Sequence, residues 1–292
     1  MSRFLSSADP SSIASFIDKF FLSLNYFYLW IILILLVLAI VAYFLDQMTI
    51  GGDIAAFSLG MIIILAFGFG GLAVYLFFVI GAAILSKLNK NNKIYLEAIE
   101  IQEKSGRRDF IQVFANGGVG FILAAIYLFY PHPIILIMFG ASVAEAVSDT
   151  FASEVGMLSQ SKTFSILTGQ PLKPGLSGGV SLQGTLASMI GSFLVSILWY
   201  SIYYKPSLNT ISFLAIVTLA GFVGCIVDSI LGITIQAHFY DEAENKIVEK
   251  EYVDGKKLPL ARGIRSVNND TVNFISNMFG VFFATVFSLI LI

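Results

Sequence analysis

Apolar residues run in long blocks along this 292-residue chain, and polar residues gather at the breaks between them. A helix needs roughly 20 apolar residues to cross the hydrocarbon core of a bilayer. On that criterion the pattern predicts spans at 27–45, 54–68, 70–87, 110–130, 134–153, 180–203, 211–238 and 271–292. The fold class is therefore all-α, a polytopic membrane bundle of about eight helices with short loops. Gly68, Gly70 and Gly71 separate the second and third blocks and predict a tight helical hairpin. One long bent helix is the alternative, and it would invert everything upstream. Ahead of the first span, Ile13, Phe16, Ile17, Phe20, Phe21 and Leu24 recur at helical spacing, with Asp18, Lys19 and Ser23 opposite. That is the pattern of a helix lying in the interface. The chain divides into an N-terminal interfacial segment, 1–26, and a single transmembrane domain, 27–292.

Composition agrees. The chain is 57% hydrophobic and 12% charged, with a mean hydropathy of +0.84, whereas soluble domains are about a quarter charged. The lipid bilayer is the expected main solvent. A net charge of −2 gives no sign of a nucleic-acid partner. Cys225 is the single cysteine and cannot form an internal disulfide. His132 and His238 are the only histidines, which argues against histidine-rich metal sites and a Ser-His-Asp triad. The first apolar block is too long for a signal peptide, and no small-residue cleavage site follows it.

Charge placement orients the bundle. Lys87, Lys90, Lys93, Lys104, Arg107 and Arg108 fall in one connection. Lys162 and Lys173 fall in a second, and Lys246, Lys250, Lys256, Lys257, Arg262 and Arg265 in a third. With eight spans these three connections share one side, and the positive-inside rule puts that side in the cytosol with both termini outside. The 88–109 connection reads as a helix with Glu97, Glu100 and Glu103 interleaved among basic residues. In the 239–270 connection, Asp254-Gly255 is a hairpin turn signal between strand-like flanks.

Candidate chemistry begins with carboxylates inside the spans. A carboxylate there costs about 2.5–3.5 kcal/mol even on the lenient insertion scale, so something must offset it. Glu145, Asp149 and Ser153 share one face of the fifth span. Gly221, Gly224, Asp228, Gly232 and Gln236 form a stripe on the seventh, where another backbone or a ligand can come close to the aspartate. With the seventh span ending at 238, Asp228 lies roughly 15 Å from its cytosolic end. Glu145 reads equally as metal-site support or as packing.

Between the fifth and sixth spans, Pro174 to Gly179 is a glycine-rich approach to a helix start, a place where backbone amides can face an anion. Lys162 and Lys173 are candidate phosphate ligands, and the bland alternative is an ordinary turn before a helix. On the fourth span Gln112 and Asn116 share a face. On the eighth, Asp270 is the expected N-cap and Asn273 and Asn277 lie four apart. Asn116 and Asn273 are assigned to the site, Asn277 to bridging between helices. The expected pocket thus faces the cytosol and holds two aspartates, several lysines and arginines, amides and an anion-ready loop. Two carboxylates together with substrate phosphates are a common way to hold Mg²⁺. No GxxxxGK[ST] loop, kinase glycine-rich loop or HExxH helix is present.

The series Gln112–Gly118, Ser148–Gly156, Lys173–Ser181, Val227–Gln236 and Asn269–Phe274 resembles, in order, the integral-membrane family that includes plant phytyl-phosphate kinase. More distantly the chain is similar to phytol kinase, dolichol kinase and CDP-diacylglycerol synthase. The resemblance implies CTP or another nucleoside triphosphate as phosphoryl donor, Mg²⁺ as cofactor and a prenyl monophosphate as acceptor. It implies Asp149 and Asp228, with Glu145, at the metal. It places Lys173, Ser177, Gly178 and Gly179 at the nucleotide phosphates and Asn116 and Asn273 in the substrate pocket; Lys162 and Ser181 are further candidates for the phosphates, and Arg108 for the substrate. The chain departs from the cytidylyltransferase pattern, which has adjacent lysines and a glutamate where Lys173 stands alone before Pro174. Transfer of a cytidylyl group and transport of an anion or lipid are the rival readings, and a homodimer is left open.

Overall fold

The structure, a computed structural model, describes residues 27–103, 106–158, 163–207 and 210–291. The expected interfacial helix at 13–24 and Lys162 lie outside them. The described helices are α1 (Phe27–Phe44), α2 (Ile50–Asn89), α3 (Lys93–Ile101), α4 (Phe110–Phe129), α5 (Pro133–Met157), α6 (Leu182–Tyr203), α7 (Ile211–Thr234) and α8 (Asn269–Leu291). Six of them, α2 and α4 to α8, are long and apolar enough to cross a membrane, and α1 is a shorter apolar helix. The protein is a polytopic helical membrane protein.

The 40-residue α2 is not one rod. Gly68 interrupts it at φ 72° and ψ −170°, backbone torsions that suit glycine and few other residues. A Cβ at Gly117 would meet both Leu59 and Tyr75. Those two residues would stand roughly 24 Å apart on a straight helix, so the chain must fold back between them. Both feet of the fold then lie at one level. The Thr49 N–H donates to the Arg108 carbonyl (3.0 Å), and the Asn89 side chain donates to the Glu154 carbonyl (3.0 Å). At the apex the Tyr203 hydroxyl donates to the Phe67 carbonyl (2.8 Å), satisfying a group that the break in the helix leaves without a helical partner. The expected hairpin is present, with arms 50–67 and 69–89.

The bundle packs around α5. Its small residues Gly140, Ala141, Ser142, Ala144, Ala146 and Ser148 are buried, so neighbouring backbones can come close. Trp199 of α6 lies against Gly140 and donates to the Leu136 carbonyl (3.2 Å). Phe67, Tyr127 and Phe139 stack in the half of the bundle remote from the hairpin's feet. Ile31 and Leu35 attach α1 to Ile64, Phe69 and Leu72 of the hairpin. Large apolar side chains such as Phe129, Phe282 and Ile290 point outward, as expected where lipid is the solvent.

Beyond the bundle, the connections are not the short loops expected. Between α5 and α6, β1 (Thr163–Ser165), β2 (Pro171–Leu172) and β3 (Gly179–Val180) form an antiparallel sheet in the order β2-β1-β3. Between α7 and α8, β4 (His238–Asp241), β5 (Lys246–Val248) and β8 (Leu260–Arg262) form a second, in the order β5-β4-β8. β6 (Tyr252–Val253) and β7 (Lys256–Lys257) make the expected hairpin, with Asp254 at φ 49° and Gly255 at φ 76°. Helix α7 stops at Thr234 rather than 238, because His238 and Phe239 pair with Arg262 and Leu260. Short apolar tails of helices and buried strands share one sequence pattern. Asp228 accordingly lies roughly 9 Å from the end of its helix, not 15 Å. The helix expected over 88–109 is confined to α3, capped by Asn92. Helix α8 is capped by Asn268, whose Oδ1 accepts from the Thr271 N–H (3.1 Å), so Asp270 sits inside the first turn instead of capping it.

The contact of Gly117 with both arms yields a prediction. Gly117→Leu should destabilise the detergent-purified protein by about 1–3 kcal/mol through overpacking. Gly51→Ala, where a Cβ meets only ordinary contacts at 3.7 Å or more, should leave the thermal midpoint near wild type.

Candidate functional site

A polar seam runs between α5, α7 and α8. Glu145 is 2% exposed. Its Oε1 accepts from the Ser276 hydroxyl (2.7 Å), and its Oε2 from the Asn277 amide (2.7 Å). Asn277 also donates to the Ser142 carbonyl (2.8 Å) and accepts from the Ser142 hydroxyl (2.7 Å). The bridging role expected of Asn277 is what the structure shows. Ser276 lies 3.2 Å from Asp228 Oδ2 as well. With its amide nitrogen turned to face acceptors, Asn273 donates to Asp228 Oδ2 (3.2 Å) and to the Asn269 carbonyl (3.0 Å). The glycine stripe on α7 serves packing. Gly221 meets Ala144, Gly224 meets Glu145, and Gly232 meets Ser177 and Gly178.

Above this seam a cavity of about 510 Å³ lies at the end of the bundle that carries the two sheets. Asp149, Asp228, Arg108, Asn116, Asn273, Ser177, Gly178, Gly179 and Ser181 all reach its wall. Asp149 is part-exposed there, and among the described residues its carboxylate accepts no hydrogen bond. Asp149, Asp228 and Glu145 lie within electrostatic range of one another. Glu145 is not on the wall, and both its oxygens are taken up inside the seam.

The basic residues distribute differently from expectation. Arg108 is the Lys or Arg on the wall among the described residues. The strand-like pairing of Arg108 with Gln47 and Thr49 holds it there, and its guanidinium lies 5.7 Å from the Phe78 ring centroid. Lys173 is exposed and off the wall, so among the described residues the positive potential inside the cavity comes from Arg108 and backbone dipoles.

The glycine-rich segment forms the side of the cavity facing the aspartates. Gly178 has φ 82°, and a Cβ there would come within 2.7 Å of the Ile233 nitrogen, so the segment lies backbone to backbone on α7. Ser181 caps α6 by accepting from the Gly184 N–H (3.1 Å), which aims the helix N-terminus at the cavity. The Ser177 N–H donates to Glu249 Oε1 (2.7 Å). Sequence reasoning missed Glu249. It sits in a charged run, Lys246–Glu251, that reads as solvated, yet it is 5% exposed and lines the cavity. Burial pushes its carboxyl up to about 7. The neighbouring His238, 0% exposed, lies 3.7 Å away through Nε2. Burial, with the Arg262 guanidinium close by, holds its imidazole down to about 4.

The donor set suits Mg²⁺ in one particular way. Among the described residues, no three His, Cys, Asp or Glu side chains form a closed metal site. Asp149 and Asp228 offer two oxygen ligands toward a cavity large enough for phosphates, and Mg²⁺ is commonly held by one or two carboxylates plus substrate phosphate and water. A soft-metal or Ca²⁺-type cage is not what these residues make.

Comparison with known proteins agrees with this architecture. Protein PGR of Arabidopsis thaliana is 28% identical over 263 residues, which cover 83% of this chain and 89% of that protein. An uncharacterized membrane protein of Synechocystis sp. is 35% identical over 188 residues, covering 62% of this chain and 69% of the relative. Protein VTE6, chloroplastic, also from Arabidopsis thaliana, is 29% identical over 236 residues, covering 78% of this chain and 62% of that protein. No solved structure matches the chain. The family model described as integral membrane protein DUF92 matches residues 33–281, a stretch that includes every residue named above on the cavity wall. The chain belongs to the DUF92 family of integral membrane proteins.

Proposed function

We propose that the protein transfers the γ-phosphoryl group of CTP, or of another nucleoside triphosphate, to a prenyl monophosphate such as phytyl or geranylgeranyl phosphate, giving the prenyl diphosphate. One observation carries the reading. Two carboxylates of membrane helices, Asp149 and Asp228, face a glycine-rich segment and a helix N-terminus across one cavity. The first pair suits a divalent cation, and the second pair suits phosphate. The resemblance of the motif series to the phytyl-phosphate kinase family supplies the substrate class.

In this reading Asp149 and Asp228 would hold Mg²⁺. When bound, the cation neutralises charge as two phosphate groups approach. The N–H groups of the first turn of α6 hold the donor phosphates beside the Ser177–Gly179 turn, whose own Ser177 and Gly179 N–H groups donate to Glu249 Oε1 and the Leu176 carbonyl. Arg108 and Asn116 orient the acceptor phosphate, and Asn273 holds Asp228 in place. An acceptor phosphate oxygen attacks the γ-phosphorus, a new P–O bond forms, and the β,γ-bridging P–O bond breaks to release CDP. No protein nucleophile is needed, so positioning supplies most of the rate. The basic loops on the cavity side, read with the positive-inside rule, support a cytosolic face for the site. Against transport, the aromatic packing of Phe67, Tyr127 and Phe139 fills the far half of the bundle.

Product analysis by mass spectrometry tests the reaction. Purified protein with Mg²⁺, CTP and prenyl monophosphate should yield prenyl diphosphate and CDP. A CDP-linked lipid with pyrophosphate would assign cytidylyl transfer instead. Asp149→Asn and Asp228→Asn should each lower turnover by about 100-fold or more. Full turnover in both would remove the metal assignment.

The docking of the second sheet over the cavity should also depend on pH. The imidazole of His238 is depressed to about 4, below its ordinary value of about 6.5. Its stabilising contribution is therefore complete above pH 6.5 and lost as pH falls toward 4, amounting to about 3 kcal/mol. Glu249 has the opposite sign. Its carboxyl is raised to about 7, so its contribution is complete below about pH 4.3 and lost as pH rises through 7. Thermal midpoints in detergent should show His238→Asn flattening the acid-side loss, and Glu249→Gln flattening the loss toward neutral pH.

A further inference from the structure

Helices α6 and α7 are joined by a short connection at the end remote from the cavity, and their facing sides are not equally closed along their length. On α6, Tyr203, Trp199, Ser196 and Ser192 are all buried. Ser192 donates to the Thr218 carbonyl (2.7 Å), and Gly221 meets Ser192, so the two helices touch there. Thr185 lies two helical turns before Ser192 on the same side of α6, yet it is exposed and also lines the cavity. On α7 the buried Thr218 is followed at fourfold spacing by Phe222 and Ile226, which are only half-buried and also line the cavity. The helices therefore close less tightly toward the sheet-bearing end, leaving a gap lined by Thr185, Phe222 and Ile226.

The depth of this gap is that of a lipid tail. Thr185 lies in the first turn of α6, near the cavity end. Phe222 precedes the end of α7 at Thr234 by roughly 18 Å of helical rise, close to the midplane of a hydrocarbon core about 30 Å thick. The lips change character along the same path. Ser188, Ser229 and the start of α6 are polar and line the same cavity as Asp228, whereas Phe222 and Ile226 are apolar. We infer that the α6–α7 cleft is the lateral door for the hydrocarbon chain of a phosphorylated lipid. The phosphate sits in the cavity, oriented by Arg108 and Asn116 as proposed above, and the chain runs out past Phe222 and Ile226 into the bilayer. This rests on the cavity being a site for a lipid phosphate, as proposed above, and it adds where the chain lies and which residues read it.

A long-chain alkyl monophosphate carrying a mid-chain diazirine tests the placement in the intact protein without nucleotide or turnover. Irradiation should label peptides around Thr185 and around Phe222–Ile226, and excess prenyl monophosphate should displace the label. Labelling confined to α1, the hairpin or α8 would overturn the door. Thr185→Trp and Ile226→Trp, which add bulk at the lips and narrow the cleft, give a second measurement. Each should lower the ratio of kcat/KM for a long prenyl monophosphate to that for dimethylallyl monophosphate roughly tenfold. An unchanged ratio in both variants would likewise overturn it. Displaceable labelling of α6 and α7 together with no kinase turnover would keep the door and remove the kinase reading, whereas turnover with labelling elsewhere would do the reverse.

Discussion

The cost of holding carboxylates inside a membrane bundle governs this structure. Glu145 and Asp228 sit among helices that lipid surrounds, and Asp149 lies at the edge of the same group. The bundle meets that cost by giving each a different surrounding. Glu145 is closed in by Ser276 and Asn277 and cannot reach the cavity. Asp228 shares Ser276 and Asn273 on one oxygen and faces the cavity with the remainder of the group. Asp149 meets the cavity without a hydrogen-bond donor among the described residues. The gradation from fully satisfied to open, over about one turn of α5 and across to α7, defines where a cation and phosphate can come in.

Close helix packing makes that gradation possible. Gly221, Gly224 and Gly232 bring α7 against α5, α8 and the glycine-rich segment, so that one hydroxyl, Ser276, touches two carboxylates on different helices. A larger residue at these points would open the seam to water or lipid and leave the acidic groups without donors. The hairpin of α2 contributes from the other side. Its feet hold Arg108 and Glu154 at the cavity rim, and its apex is fastened through Tyr203.

The two sheets cover the open end. The first presents Ser177–Gly179 against α7, and the second lowers Glu249 onto the Ser177 N–H. A buried carboxylate therefore supports the turn proposed for phosphate. The same covering leaves α6 and α7 less tightly closed on one flank, so with the door proposed above the cavity faces water at its end and lipid at its side. That pairing of exposures suits a reaction between a soluble nucleotide and an amphiphile.

The chain's alternation of long apolar blocks and basic breaks determined the helical class and the placement of the membrane helices. A helix in lipid must be apolar over its whole length whatever packs beside it. Asp149, Asp228, Asn116 and Asn273 were legible for the same reason, since polar residues in spans stand out. Glu249 and His238 were not, because a charged run looks solvated until a sheet folds it inward. The reversal at Gly68 was suggested by the glycines but was decided by the contacts of Leu59 and Tyr75 with Gly117. Which carboxylate is satisfied and which is open, the displacement of Lys173 from the cavity wall and the parting of α6 from α7 were all decided by tertiary structure. They depend on which side chains meet across helices, and no spacing along one helix contains that information.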